Sequence, residues 1–211
     1  MTELVFILDR SGSMYDLTRD TIGGFNSMLA QQRSLPGDAM VTTVLFNNRS
    51  TLIHDRLPIS RVPDLTTADY APRGTTALLD AVGSTIRHIA RIHKYARPED
   101  VPEKTLFVIT TDGMENASRE YTYDSVRQLI DHEKSKYGWE FLFLGANIDA
   151  AREGARFGID TDRSVTFKSD SAGTALNYQV ISEAVACTRA CQPIRADWSE
   201  RITEDVKKRG R

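Results

Sequence analysis

Short apolar runs alternate along the chain with longer segments in which apolar residues recur every three or four positions. Short runs rich in β-branched and aromatic residues predict buried strands, and the longer periodic segments predict amphipathic helices. Strands are predicted at 4–8, 40–46, 51–57, 105–110, 139–144 and 164–168. Helices are predicted at 16–33, 76–95, 123–137, 149–157 and 171–189.

The order of these elements predicts an α/β fold. Strands that alternate with helices are joined by right-handed crossovers, which give a mainly parallel sheet with helices on both faces. Four polar residues, 47–50, separate two β-rich runs and predict a hairpin, so one strand should run antiparallel to the rest. We expect a three-layer, Rossmann-like sandwich around a six-stranded sheet. One domain is expected over 1–195, followed by a charged tail, 196–211, that is helical or disordered.

Composition and charge exclude several classes of function. The formal net charge is −2 and basic residues do not cluster, so the chain lacks the positive surface that favours nucleic acid or an anionic membrane. No apolar stretch approaches the ~20 residues of a membrane-spanning helix. Cys187 and Cys191 are interpreted as small core residues rather than a metal or disulfide pair. If Met1 is the natural start, a signal peptide has no room before the first strand, and we expect a cytoplasmic monomer.

Polar residues follow the first predicted strand at alternate positions. Asp9, Ser11 and Ser13 can point the same way in an extended or turning segment, and Gly12 allows a sharp turn between the serines. Small oxygen-bearing side chains at the carboxyl end of a strand suit a hard cation such as Mg²⁺. The same residue types also form ordinary turns and helix caps, so this segment alone does not decide between a site and a loop.

Two later segments extend this pattern. Residues 73–78, Arg-Gly-Thr-Thr-Ala-Leu, place hydroxyls before a predicted helix, and residues 105–113 run from a buried strand into Asp112 and Gly113. Together with residues 9–13, these segments resemble the three loops of the metal-ion-dependent adhesion site of von Willebrand factor type A domains. That family includes the integrin I domains.

The resemblance implies a ligand set and a strand order. Ser11 and Ser13 would bind the ion directly, Thr75 would be the third hydroxyl, and Asp9 and Asp112 would act directly or through water. Thr76 is the less favoured threonine, because the family's ligand immediately follows the glycine. The first and fourth strands should be adjacent at the centre of the sheet, with the hairpin strand antiparallel at one edge.

The resemblance also implies a function. Three hydroxyls and two carboxylates would leave Mg²⁺ an open position for an Asp or Glu of a partner protein, and Mn²⁺ or Ca²⁺ are alternative ions. Arg10, Arg73 and Glu115 are candidate residues of the partner-binding rim. Bacterial stand-alone members of the family are often associated with chaperone-like ATPases or stress-response complexes, which are therefore the expected kind of partner.

Two alternatives are open. One is a metal-dependent phosphohydrolase, which also carries an Asp after its first strand. A phosphatase of the haloacid-dehalogenase type has a second Asp two residues later, where this chain has Ser11, and the sequence contains neither a phosphate-binding loop nor a Gly-x-Ser-x-Gly elbow. We therefore expect a protein that is not an enzyme. The other alternative is a metal that only ties the three loops together.

Overall fold

The computed structural model describes residues 1–210, which form a central sheet with helices on both faces. The strands are β1 (Thr2–Asp9), β2 (Ala39–Phe46), β3 (Ser50–Pro58), β4 (Lys104–Thr111), β5 (Glu140–Ala146) and β6 (Ser164–Phe167). The helices are α1 (Thr18–Arg33), α2 (Leu78–Tyr95), α3 (Tyr123–Tyr137), α4 (Ala150–Arg156), α5 (Ser171–Arg189) and α6 (Glu200–Arg209).

The strands are arranged in the order β3-β2-β1-β4-β5-β6. β3 pairs antiparallel with β2 at one edge, and every other pairing is parallel. The predicted fold class is therefore confirmed, including the central pairing of the first and fourth strands. Because β1 and β4 are parallel and in register, with Leu8 opposite Thr110, their carboxyl ends meet at one edge of the sheet.

Both faces of the sheet are buried. Leu4, Phe6 and Leu8 of β1 pack on the side of α1 and α5, whereas Val5 and Ile7 pack on the side of α2 and α3. A strand covered on both faces needs apolar residues at successive positions, which explains why β1 reads as a continuous apolar run.

Gly24 lets α1 approach α5 closely. A Cβ atom at Gly24 would lie 2.3 Å from Cδ2 of Tyr178, whereas one at Gly23 would meet nothing within 4 Å. A helix interior loses stability with glycine, but at position 24 only glycine leaves room for the buried tyrosine ring. Packing against Tyr178 thus explains Gly24 but not Gly23 in the predicted helix 16–33.

The charged tail carries the helix α6. Ile202 is 1% exposed and joins the core on the α1 and α5 face of the sheet, and Trp198 packs against that core. The indole nitrogen of Trp198 donates to the carbonyl of Asp162 at 2.7 Å, and Arg209 pairs with Asp170 at 2.6 Å. The tail is therefore docked and is helical over Glu200–Arg209, and residue 211 lies outside the described part of the chain.

Candidate metal centre

The site lies where β1 and β4 end. Asp9 is the last residue of β1, and Asp112 follows directly after β4. Both carboxylates are buried, at 1% and 3% exposure. The parallel register of the two strands brings these residues to the same edge of the sheet, as expected for a site of this fold class.

Hydrogen bonds join the predicted ligands of the first and third loops. Ser13 Oγ donates to Asp112 Oδ1 at 2.6 Å, and the hydroxyls of Ser11 and Ser13 are 3.1 Å apart. The backbone N–H of Ser11 donates to Asp9 Oδ1 at 2.7 Å. Four of the five predicted metal ligands therefore lie together in one cluster of oxygen atoms.

The second loop is tied to the first through its backbone. The N–H of Arg73 donates to the carbonyl of Arg10 at 3.0 Å, and the N–H of Gly12 donates to the carbonyl of Gly74 at 3.1 Å. Gly74 has φ of +78°, a left-handed conformation that favours glycine. The threonine pair, Thr75 and Thr76, follows this turn directly.

The two threonines of this loop differ in position. Thr76 is buried, and a Cβ atom at Gly113 would lie 3.7 Å from Thr76 Oγ1. Thr75 is exposed. Asn116 holds the backbone of Thr76 from both sides, because its Oδ1 accepts from the N–H of Thr76 at 2.9 Å and its own N–H donates to the carbonyl of Thr76 at 3.0 Å. The structure therefore brings Thr76, rather than the expected Thr75, against the loop that carries Asp112.

Three further residues contact the side chain or the backbone of Asp9 and Asp112, and the sequence motifs did not single them out. Thr111 Oγ1 donates to Asp9 Oδ2 at 2.6 Å. The hydroxyl of the fully buried Tyr70 donates to the backbone carbonyl of Asp9. Asn147 has φ of +56°, and its Nδ2 lies 3.4 Å from the carbonyl oxygen of Asp112. Such contacts fix the orientation of the ligands around a cation.

The three predicted rim residues have different surroundings. Glu115 faces inward: its Oε2 accepts from the N–H of Leu79 at 2.9 Å, and its Oε1 accepts from the N–H of Ser118 at 2.7 Å. Its carboxylate thus ties the third loop to the first turn of α2. Arg10 donates to the carbonyl of Asp69 at 3.0 Å and to Thr51 Oγ1 at 2.6 Å. The side chain of Arg73 is exposed and donates no hydrogen bond to any of residues 1–210.

The electrostatics of the cluster favour a bound cation. Burial raises the pKa of Asp9 to about 6, against hydrogen bonds from Thr111 and Ser11 that lower it, and the charge of Asp112 raises it slightly further. Burial also raises the pKa of Asp112. Two desolvated carboxylates at one edge lack a compensating positive charge in hydrogen-bond contact, and a divalent cation would supply that charge.

The donor set fits a hard cation. Within residues 1–210, no three His, Cys, Asp or Glu side chains come together in a way that could hold a metal ion. An ion here would therefore depend on hydroxyls as well as on Asp9 and Asp112. Oxygen ligands with few carboxylates suit Mg²⁺, which keeps part of its own water shell.

Comparisons with known proteins support this architecture. No protein-family model matches the sequence, and no curated protein matches it. Among solved structures, a von Willebrand factor type A protein from Catenulispora acidiphila matches with a TM-score of 0.55 and 16% identity, over 88% of this chain and 42% of that chain. The ArnB paralog VWA2 from Sulfolobus acidocaldarius matches with a TM-score of 0.56 and 14% identity, over 87% and 44%.

A third similar structure carries a metal in its adhesion motif. It is proximal thread matrix protein 1 from the mussel byssus with a zinc-occupied metal-ion-dependent adhesion site, at a TM-score of 0.59 and 14% identity, over 88% of this chain and 46% of that chain. This chain spans less than half the length of each of these three proteins. The chain has the von Willebrand factor type A fold.

None of the helices within residues 1–210 combines the length and the apolar character needed to cross a membrane.

Proposed function

We propose that this protein is a metal-dependent protein-interaction module that binds an Asp or Glu of a partner through a Mg²⁺ ion. The observation that carries the proposal is the cluster of oxygen atoms at the carboxyl ends of β1 and β4, where Ser13 Oγ lies 2.6 Å from Asp112 Oδ1 and 3.1 Å from Ser11 Oγ. The zinc-occupied adhesion site of the mussel protein supports a divalent ion in a site of this fold.

The proposed ligands are Asp9, Ser11, Ser13, Thr76 and Asp112. Thr76 replaces Thr75 in this proposed set because its buried hydroxyl faces Gly113, the residue after Asp112. When bound, a divalent cation supplies a Lewis-acidic position that accepts a carboxylate oxygen. Mg²⁺ is preferred because most of the donors are neutral hydroxyls, and Mn²⁺ and Ca²⁺ are alternatives to test beside it.

The protein's own residues hold this site in place. Thr111 and the backbone of Ser11 orient the two oxygens of Asp9, and Asn116 fixes the backbone of Thr76. None of these contacts supplies a general base or a nucleophile, and we propose a binding role without catalysis. In a cytoplasmic setting, a chaperone-like ATPase or a stress-response complex is the kind of partner to examine first.

The test is an affinity pull-down with the full chain, performed in Mg²⁺, in EDTA, and with the Ser11→Ala/Ser13→Ala variant. The proposal predicts a partner that is captured only by the wild-type chain in Mg²⁺. Ser60→Ala/Ser135→Ala is the matched control, because both serines are exposed and lie outside the metal loops. A partner retained in EDTA and by the double serine variant binds another surface, which would contradict the proposal.

A further inference from the structure

Two large apolar side chains are exposed beside the metal loops. Tyr15 is 72% exposed and Met114 is 58% exposed. Each lies two residues after a member of the Ser13–Asp112 pair, whose side chains are in contact at 2.6 Å. Tyr15 and Met114 therefore belong to the two loops that this contact joins.

The exposure of Tyr15 follows from the packing of its neighbours. Residues Gly12–Leu17 form a 3₁₀ helix in which Met14 and Leu17, three positions apart, are both buried. Since these two side chains face the core, Tyr15 points away from it. The turn is also closed by Thr18 Oγ1, which donates to the carbonyl of Tyr15 at 2.7 Å.

The loop that carries Met114 is equally well held. It begins at Gly113 and is followed by Glu115, whose carboxylate accepts hydrogen bonds from Leu79 and Ser118. The exposed thioether is therefore presented by an anchored loop. Tyrosine and methionine are both enriched at protein interfaces, tyrosine as a rigid anchor and methionine as an adaptable surface.

The charges around this apolar pair are unevenly distributed. One divalent cation would balance the charges of Asp9 and Asp112, and the two remaining carboxylates, Asp16 and Glu115, equal Arg10 and Arg73 in number. Arg10 is already engaged with Asp69 and Thr51, whereas Arg73 is exposed and free to pair. Asp16, next to Tyr15, is an exposed carboxylate and disfavours negative charge on the Tyr15 side.

We propose that the partner presents an acidic residue with an aliphatic or aromatic residue next to it or one position removed. The acidic residue addresses the metal, and the apolar side chain packs on Tyr15 and Met114. This inference rests on the proposed function and adds the chemistry of the partner segment. The exposed Arg73 can pair with an acidic group of the partner, and Tyr15 and Met114 add an apolar contact, so the recognised segment is acidic and apolar rather than purely acidic.

The experiment is a selection of random peptides displayed on phage. The full chain is immobilised in Mg²⁺, and bound phage are eluted with EDTA. We expect the wild type to enrich Asp or Glu together with a neighbouring Leu, Ile, Met, Phe, Tyr or Trp. The Tyr15→Ser/Met114→Ser variant should still enrich the acidic residue, but without the apolar neighbour. Synthetic peptides with the sequences that the wild type selects should bind this variant about tenfold more weakly than they bind the wild type.

The matched control is Tyr95→Ser/Tyr137→Ser, which removes two exposed aromatic residues from α2 and α3, outside the metal loops. It should enrich the same peptides as the wild type, and circular dichroism should give the same spectrum for all variants. If the wild type selects acidic peptides without an apolar neighbour, this inference is overturned and the proposed function still stands. A wild type that yields no EDTA-eluted peptides would overturn both.

Discussion

Ser13 Oγ donates to Asp112 Oδ1 at 2.6 Å and so joins two residues that are 99 positions apart in the sequence. The contact exists because the parallel pairing of β1 and β4 brings their carboxyl ends together. Neither side chain is a candidate cation site alone. Their juxtaposition, with Ser11 and Asp9 on the same loop, gives the oxygen cluster from which the predictions below follow.

Replacement of the two threonines should separate their roles. Thr76→Ala should lower the affinity for Mg²⁺ by at least about tenfold, because it removes a proposed ligand, and Thr76→Ser should restore most of it. Thr75→Ala should leave the affinity nearly unchanged, since it retains the Thr76 hydroxyl that faces Gly113. Isothermal titration calorimetry measures both. A larger loss in Thr75→Ala than in Thr76→Ala would restore the ligand set expected from the sequence.

The metal-free protein should lose stability as the pH rises through about 6. Burial raises the pKa of Asp9 to about 6 from 3.8, so the folded state binds this proton more tightly than the unfolded state. The stabilisation is fully present below pH 3.8 and is lost as the pH rises through the folded-state value. Its full size is about 3 kcal/mol of unfolding free energy.

Urea unfolding in EDTA at a series of pH values measures this effect, with Asp9→Asn as the control that cannot ionise. The stability of the wild type relative to Asp9→Asn should fall across this range, and added Mg²⁺ should reverse the fall. Parallel pH profiles of the two proteins would show that Asp9 does not titrate in this way.

Tyr70→Phe should destabilise the first loop. The tyrosine hydroxyl donates to the carbonyl of Asp9 inside the core, and its removal leaves that acceptor unpaired at a cost of about 1–3 kcal/mol. Tyr178→Phe is the matched control, because its hydroxyl donates no hydrogen bond to any of residues 1–210. Denaturant unfolding should show a larger loss of unfolding free energy for Tyr70→Phe than for Tyr178→Phe. Equal losses would mean that the hydrogen bond from Tyr70 to Asp9 does not stabilise the protein.

Replacement of the adjacent glycines of α1 by alanine should change the stability of the protein in opposite directions. Gly24→Ala should lower the unfolding free energy by roughly 1–3 kcal/mol, because its Cβ would collide with Tyr178. Gly23→Ala meets open space and should raise it by up to about 1 kcal/mol through helix propensity. Thermal unfolding of the pair checks both signs. A stable Gly24→Ala protein would mean that α1 and α5 can separate without cost.

The sequence predicted the elements and the meeting of Asp9 with Asp112 because the signals were local. Asp9 ends one strand and Asp112 follows another, and the parallel topology then brings them together. The choice between Thr75 and Thr76 was different. Both carry the same hydroxyl at adjacent positions, and only the turn at Gly74 and the contacts of Asn116 decide which one faces the cluster.

Two other features depended on tertiary contacts. Spacing could not reveal that the carboxylate of Glu115 is occupied by the N–H groups of Leu79 and Ser118. The docking of α6 did leave a signal, since Trp198, Ile202 and Val206 recur every four residues and form one apolar face within a charged segment. Only Ile202 is fully buried, and the other two are intermediate. Three apolar residues in a short charged segment are a weak signal for a docked helix.

Calorimetric titration of Mg²⁺ into the wild type and into Asp112→Ala tests the central claim most directly, with Asp16→Ala as the control for loss of an acidic residue near the same loop. The account predicts saturable binding of one ion to the wild type and to Asp16→Ala, and binding that is lost or much weakened in Asp112→Ala, with circular dichroism unchanged. Equal Mg²⁺ affinity in Asp112→Ala and the wild type would contradict a metal site at the ends of β1 and β4.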